Sequence, residues 1–101
     1  MDSRERANFR NTRQWKDFRK KKRAEDKTDY LTQSRLTPGF NLHHMDLNPD
    51  HYKDLSNTDN FICLNRKSHD LIHFLYTYYA KDPTILLRLE NVLKMMKDLN
   101  S

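Results

Sequence analysis

Three stretches decide how this chain folds: Phe40-Asn41-Leu42-His43-His44-Met45, then Phe61-Ile62-Cys63-Leu64, then the run from Arg66 to Tyr79. In the first, Phe40, Leu42 and His44 share one face if the segment is extended, because side chains alternate along a strand. The second is short and apolar, and suits a second strand. Asn65 then reads as an N-cap, and a helix follows with Leu71, Ile72, Leu75, Tyr78 and Tyr79 as packing positions. Between the strands, residues 46–59 are polar, contain Pro49, and read as a long loop, a feature that in a small domain often serves function. Ahead of them, Thr37-Pro38-Gly39 is the one strong turn signal and holds the chain's single glycine.

Residues 4–27 lack proline and glycine, are rich in Arg, Lys, Ala, Glu and Gln, and predict a helix with a poor apolar stripe. Trp15 and Phe18 lie about one turn apart within it and are expected to anchor the segment rather than stack on a base. At the other end, Asp82-Pro83 opens a last helix, with Asp as N-cap and Pro at the first position. Ile85, Leu89, Val92, Met96 and Leu99 recur at spacings of 4, 3, 4 and 3, an amphipathic stripe expected to pack on the preceding helix, with a dimer seam as the weaker reading. The order is helix, strand, long loop, strand, helix, helix, an α+β chain that is mostly helical. Its natural divisions are a basic N-terminal extension over 1–35, a central unit over 36–80 and an amphipathic helix over 81–101, together one compact domain.

At 101 residues, with 36% hydrophobic and 33% charged side chains, the core is thin for its length. Cys63 is the only cysteine, which excludes an intramolecular disulfide and a four-cysteine zinc knuckle. No apolar run approaches 18 residues, so no membrane partner is expected. The opening MDSRERANFR carries no apolar stretch, and a cytoplasmic setting is expected. Charge is unevenly spread. Residues 1–35 hold 12 basic and 6 acidic side chains, whereas 36–101 hold 7 and 8. Arg10, Arg13, Lys16 and the run Arg19-Lys20-Lys21-Lys22-Arg23 form a polyanion-attracting segment, to which Arg66 and Lys67 add a second patch. A basic run alone is weak evidence, since a solvated helix face reads the same way.

The five histidines all fall between positions 43 and 73. His69 and His73 stand at i and i+4 and leave one helix face, a common way to hold a divalent ion. His43 and His44 are adjacent on a strand and point to opposite faces, so one can ligate while the other takes a separate role. That division suits hydrolysis: a metal polarises a phosphate and an unligated histidine activates water near neutral pH. Taken singly, each pair is as often a surface histidine pair; the joint arrangement raises the odds. His51 lies outside the pattern and is taken as incidental.

The stretches Leu42-His43-His44-Met45, Asp59-Asn60-Phe61-Ile62-Cys63-Leu64 and Lys67-Ser68-His69-Asp70-Leu71-Ile72-His73 together resemble the HNH endonuclease motif, over residues 40 to about 76. The resemblance implies a ββα-metal (His-Me) finger, in which two strands and a helix clasp one divalent ion. It implies His43 and His69 as metal ligands, His73 as a third ligand or a phosphate contact, and His44 as the general base. Asn60, nine residues before His69, would brace the long loop and so orient that base; Asn57 competes for this place. Small size and a basic N-terminal segment look like small phage-type HNH proteins.

If the resemblance holds, the expected activity is metal-dependent hydrolysis of DNA phosphodiesters, leaving 5′-phosphate and 3′-hydroxyl ends with low sequence specificity. The cofactor would be one divalent ion: Mg, Mn, Ni, Co or Zn. The partners would be double-stranded DNA and a larger phage or host DNA-processing protein, with the chain a monomer or weak dimer, in a bacterial host cell if phage-encoded. One departure from the family stands out. Many HNH proteins carry two Cys-x-x-Cys pairs around a structural zinc, but here Tyr30-Leu31-Thr32-Gln33 fills the upstream place and Ser68 stands where cysteine is often found. Apolar packing by Tyr30, Leu31, Leu36 and the last helix is expected in its stead. The competing class is a non-catalytic nucleic-acid-binding module whose histidines hold a structural metal.

Overall fold

Asn11 and Thr12 interrupt the N-terminal helix. The computed structural model, which describes residues 3–46, 53–56 and 58–101, has two helices where one is predicted: α1 (Ser3–Arg10) and α2 (Arg13–Asp26). The hydroxyl of Thr12 donates to the Phe9 carbonyl at 2.7 Å and accepts from the Trp15 N–H at 3.2 Å, so one side chain closes α1 and caps α2. Threonine competes for backbone groups in this way, and two neighbouring weak helix formers suffice to tip the balance. The turn sets Phe9 against Trp15, with ring centroids 5.6 Å apart. Lys27 ends α2 in the left-handed region at φ 63°, its N–H donating to the Arg23 carbonyl.

The strands are β1 (Asn41–His44) and β2 (Phe61–Leu64), antiparallel, with His43 opposite Ile62 and His44 opposite Phe61. A single 3₁₀ turn, Thr58–Asn60, leads into β2. Half of the expected 46–59 loop, His51 and Asn57 included, lies outside the described residues. Helix α3 (Arg66–Tyr79) follows β2, and α4 (Ile85–Leu99) completes the order. The last helix starts two residues later than Pro83 suggests. Asp82 instead makes a turn, its carboxylate accepting from the Thr84 N–H and hydroxyl and from Arg88. Among the described residues the fold is α+β, mostly helical, with one two-stranded antiparallel sheet.

The chain divides into two compact units, Met1–His69 and Asp70–Ser101, and the division falls within α3. In the first unit Phe9, Trp15 and Phe18 pack with Leu36, Phe40, Leu42, Phe61 and Cys63 in one buried cluster. Trp15 and Phe18 thus anchor the basic segment, as expected, and α1–α2 supply core rather than an extension. Each buried aromatic contributes roughly 2 kcal/mol of transfer free energy, a large share of the stability of a chain this short. Arg19 ties α2 to the turn before β1. Its guanidinium donates to the carbonyls of Pro38 (3.0 Å) and Phe40 (2.7 Å) and lies 3.8 Å from the centre of the Phe40 ring. In the second unit no residue is buried. The amphipathic stripe of α4 is half-buried at Ile85 and Leu89 but exposed at Val92, Met96 and Leu99, so the expected core packing is realised only in part.

Candidate metal centre

Alternation along β1 separates the two adjacent histidines. His43 meets α3, its ring centroid 5.6 Å from that of His69. His44 stacks on Phe61 at 4.7 Å with 25° between the rings, against the aromatic core. His73 follows His69 by one turn of the continuous helix α3. The ligating atoms that His43, His69 and His73 can offer all lie within 4.8 Å of one another. His43 is buried, His69 half-buried and His73 exposed, so the trio grades from the strand to solvent. The donors suit a divalent ion of borderline softness. Three neutral imidazoles favour Zn²⁺, Ni²⁺ or Co²⁺ over Mg²⁺ and Mn²⁺, which prefer oxygen. Among the described residues no thiolate or carboxylate joins the trio, and an ion held by these three alone would keep a coordination position for a small molecule or phosphate.

The first turn of α3 is held in place by a residue the sequence reading passes over. Asp29 is fully buried, at 0% exposure. One carboxylate oxygen accepts from the N–H groups of Leu31 and Thr32, and the other accepts from the Asn65 N–H, all at 2.8 Å. The Ser68 hydroxyl bonds it as well. Burial alone would raise its pKa, but the bonds from Thr32, Ser68, Asn65 and Leu31 outweigh burial and hold the carboxyl below its ordinary value. A buried anion at the start of α3 also meets the positive end of the helix dipole. Asn65, expected as an N-cap, gives the helix its backbone carbonyl, which accepts from the His69 N–H at 2.9 Å. Its side chain is used elsewhere, accepting from the Thr37 N–H and donating to the Arg35 carbonyl.

These bonds correct the expectation about what stands in for a structural zinc. Tyr30 and Leu31 are exposed and α4 has no buried residue; only Leu36 is buried as expected. The Asp29 carboxylate, with the Asn65 amide, joins the 29–37 segment to the helix that carries His69. A local signal was present: Asp three residues before Thr marks a side-chain-capped turn. Its partner 36 residues away left no trace in the pattern.

Asn60, the expected brace, is half-buried in the 3₁₀ turn, and its carbonyl accepts from the Met45 N–H at 2.7 Å, beside His44. Two of the expected nucleic-acid contacts are spent inside the fold. Lys22 is 7% exposed and pairs with Asp26 at 3.1 Å, and Arg19 holds the Pro38–Phe40 carbonyls. Lys22 is thus buried beside the half-buried Asp26, and the Arg19 guanidinium is engaged by backbone carbonyls. Arg10, Arg13, Lys16, Lys20, Lys21, Arg23, Arg66 and Lys67 are exposed. Cys63 is buried, and burial first, then the neighbouring Asp26, pushes its thiol up to about 12. A cleft of about 820 Å³, lined among others by Lys22, Asp26, Asp29, Asp59 and Ile62, contains none of the histidines. No helix among the described residues is long and apolar enough to cross a membrane. Comparison with family models, curated proteins and solved structures returned no match.

Proposed function

We propose that the chain is a metal-dependent endonuclease of the HNH type, hydrolysing DNA phosphodiesters with low sequence specificity. The observation that carries this reading is the convergence of His43, His69 and His73 behind a two-stranded hairpin, with an exposed third ligand. Structural sites close with four protein ligands, whereas a three-ligand site keeps room for a reacting group. These three residues would hold one divalent ion, which when bound supplies Lewis acidity towards a phosphate oxygen and the leaving 3′ oxygen. The protein's own part is threefold. The exposed cations of α2, with Arg66 and Lys67, attract and position the phosphate backbone. His44, next to a ligand yet on the opposite strand face, takes the proton of the attacking water. Asn60 stabilises the chain beside it, through the carbonyl that receives the Met45 N–H. Because a polymer backbone binds along a surface, the histidines need no deep pocket.

The second reading, a DNA-binding module with a structural metal, is favoured by one observation: His44 is only 8% exposed and stacked on Phe61. One experiment separates the two. Plasmid cleavage is assayed with Mg²⁺, Mn²⁺, Ni²⁺ and Zn²⁺ for the wild type and for His44→Ala, alongside calorimetric metal titration of the wild type and His69→Ala. The nuclease reading expects wild-type cleavage with at least one ion. It expects His44→Ala to lose roughly a hundredfold or more, the usual contribution of a general base, while still binding metal. His69→Ala loses metal binding. Metal and DNA binding without cleavage under any ion establishes the binding module instead.

A further inference from the structure

Residues 70–101 carry twelve of the fifteen exposed large apolar side chains among the described residues, each between 41% and 86% exposed, from Leu71 to Leu99. At 100° per residue, the apolar side chains of α4 cover about 180° of its circumference, leaving aside Leu87. A helix with a single neighbour needs an apolar stripe of about 100°. The face of α4 is therefore wide enough for two neighbours, and its most covered residues, Ile85 and Leu89, are still only half-buried. Half-exposed side chains of this size leave roughly 1,000 Å² of apolar surface per chain, more than the ~800 Å² per partner of a standard interface.

The charges narrow the occupant. Residues 70–101 hold four basic and four acidic side chains, so the whole formal excess of +5 belongs to residues 1–69. Charges on α4 already meet partners in their own chain: Arg88 meets Asp82 at 2.7 Å and Lys94 meets Glu90 at 3.0 Å. A surface that is neutral overall, with half of its eight charges paired within it, and broadly apolar offers nothing selective to a charged partner or to a polyanion. It is fully compatible with its own copy, which brings equal apolar area without like-charge repulsion.

We propose that the α3–α4 segment is a homodimerisation element, in which the apolar faces of two copies pack together as a four-helix bundle. In such a bundle each helix has two neighbours, the number the α4 face can serve. The inference stands apart from the nuclease reading, because it uses no residue of the metal centre.

The test is sedimentation equilibrium of the full chain from 1 to 200 μM, for the wild type and for the double variant Leu86→Glu/Leu93→Glu. Both positions are exposed, one on each of two successive stretches of the same apolar edge. The expected result is a mass of twice 12.3 kDa for the wild type at the upper concentrations and a monomer for the variant. Circular dichroism checks that the variant stays folded, and Leu31→Glu, an exposed apolar residue of the first unit, should leave the dimer intact. A wild-type monomer at every concentration, a larger open-ended assembly, or a folded double variant that remains dimeric overturns the proposal.

Discussion

Asp29 shows how much a single carboxylate can hold. Its bonds reach a turn on one side and the first residues of α3 on the other, and it has no exposure to water. Replacing it with Asn keeps the shape but removes the charge and sets amide hydrogens against N–H donors. Asp29→Asn should cost at least about 2 kcal/mol in urea unfolding, since hydrogen bonds to charged groups are worth 1.5–3 each. The pH dependence has a definite sign. The folded-state pKa lies below the ordinary 3.8, so the contribution is present above that value and is lost as pH falls through the lower folded value. The stability gap between the wild type and Asp29→Asn, measured by urea unfolding followed by tryptophan fluorescence, should therefore be full well above pH 3.8 and narrow as the pH falls below it, the variant having no carboxylate to protonate. Cys63 offers a second check. A buried thiol pushed to about 12 is inert at pH 8, so a thiol reagent should label the native chain at the rate of global opening and the urea-unfolded chain at once.

Helix α2 ends on a strained residue. Lys27 adopts φ 63° without the freedom glycine has there, and a non-glycine residue pays about 1 kcal/mol for that conformation. Lys27→Gly is expected to raise the urea midpoint by an amount near that value. Gly39, by contrast, has no positive φ and open space where a Cβ would sit, so Gly39→Ala should be neutral or slightly stabilising. The turn signal at residues 37–39 was therefore right in place, though glycine's special conformation is not what makes it. Legibility follows the range of the forces. Strand β2 and helix α3 have the predicted bounds because each has an unbroken local pattern, Phe61–Leu64 and then Arg66–Tyr79. The close approach of His43, His69 and His73 follows from strand alternation and the helical turn. The break at Thr12 depends on one hydroxyl choosing between two backbone partners, and the burial of Lys22 depends on an aromatic core assembled from distant segments. Neither is written in a local period.

Charge and apolar surface are separated along the chain: the excess of +5 sits in residues 1–69, and the neutral apolar helices follow. If about four of the exposed cations engage phosphates, affinity for mixed-sequence duplex DNA should fall about 100-fold between 50 and 200 mM salt. Fluorescence anisotropy measures this directly, and binding indifferent to salt would remove the basic face from the nucleic-acid reading.

Phe9, Trp15 and Phe18 bear on how far the chain can be shortened. Because α1 and α2 furnish much of the aromatic interior against which β1 and β2 rest, a gene fragment spanning only residues 36–80 would encode the histidines without a floor beneath them. Such a peptide should show little ordered structure and bind metal only weakly. In this chain the histidine pattern is not a portable cassette, and recombination that transplanted residues 36–80 alone would carry the histidines but leave behind what aligns them.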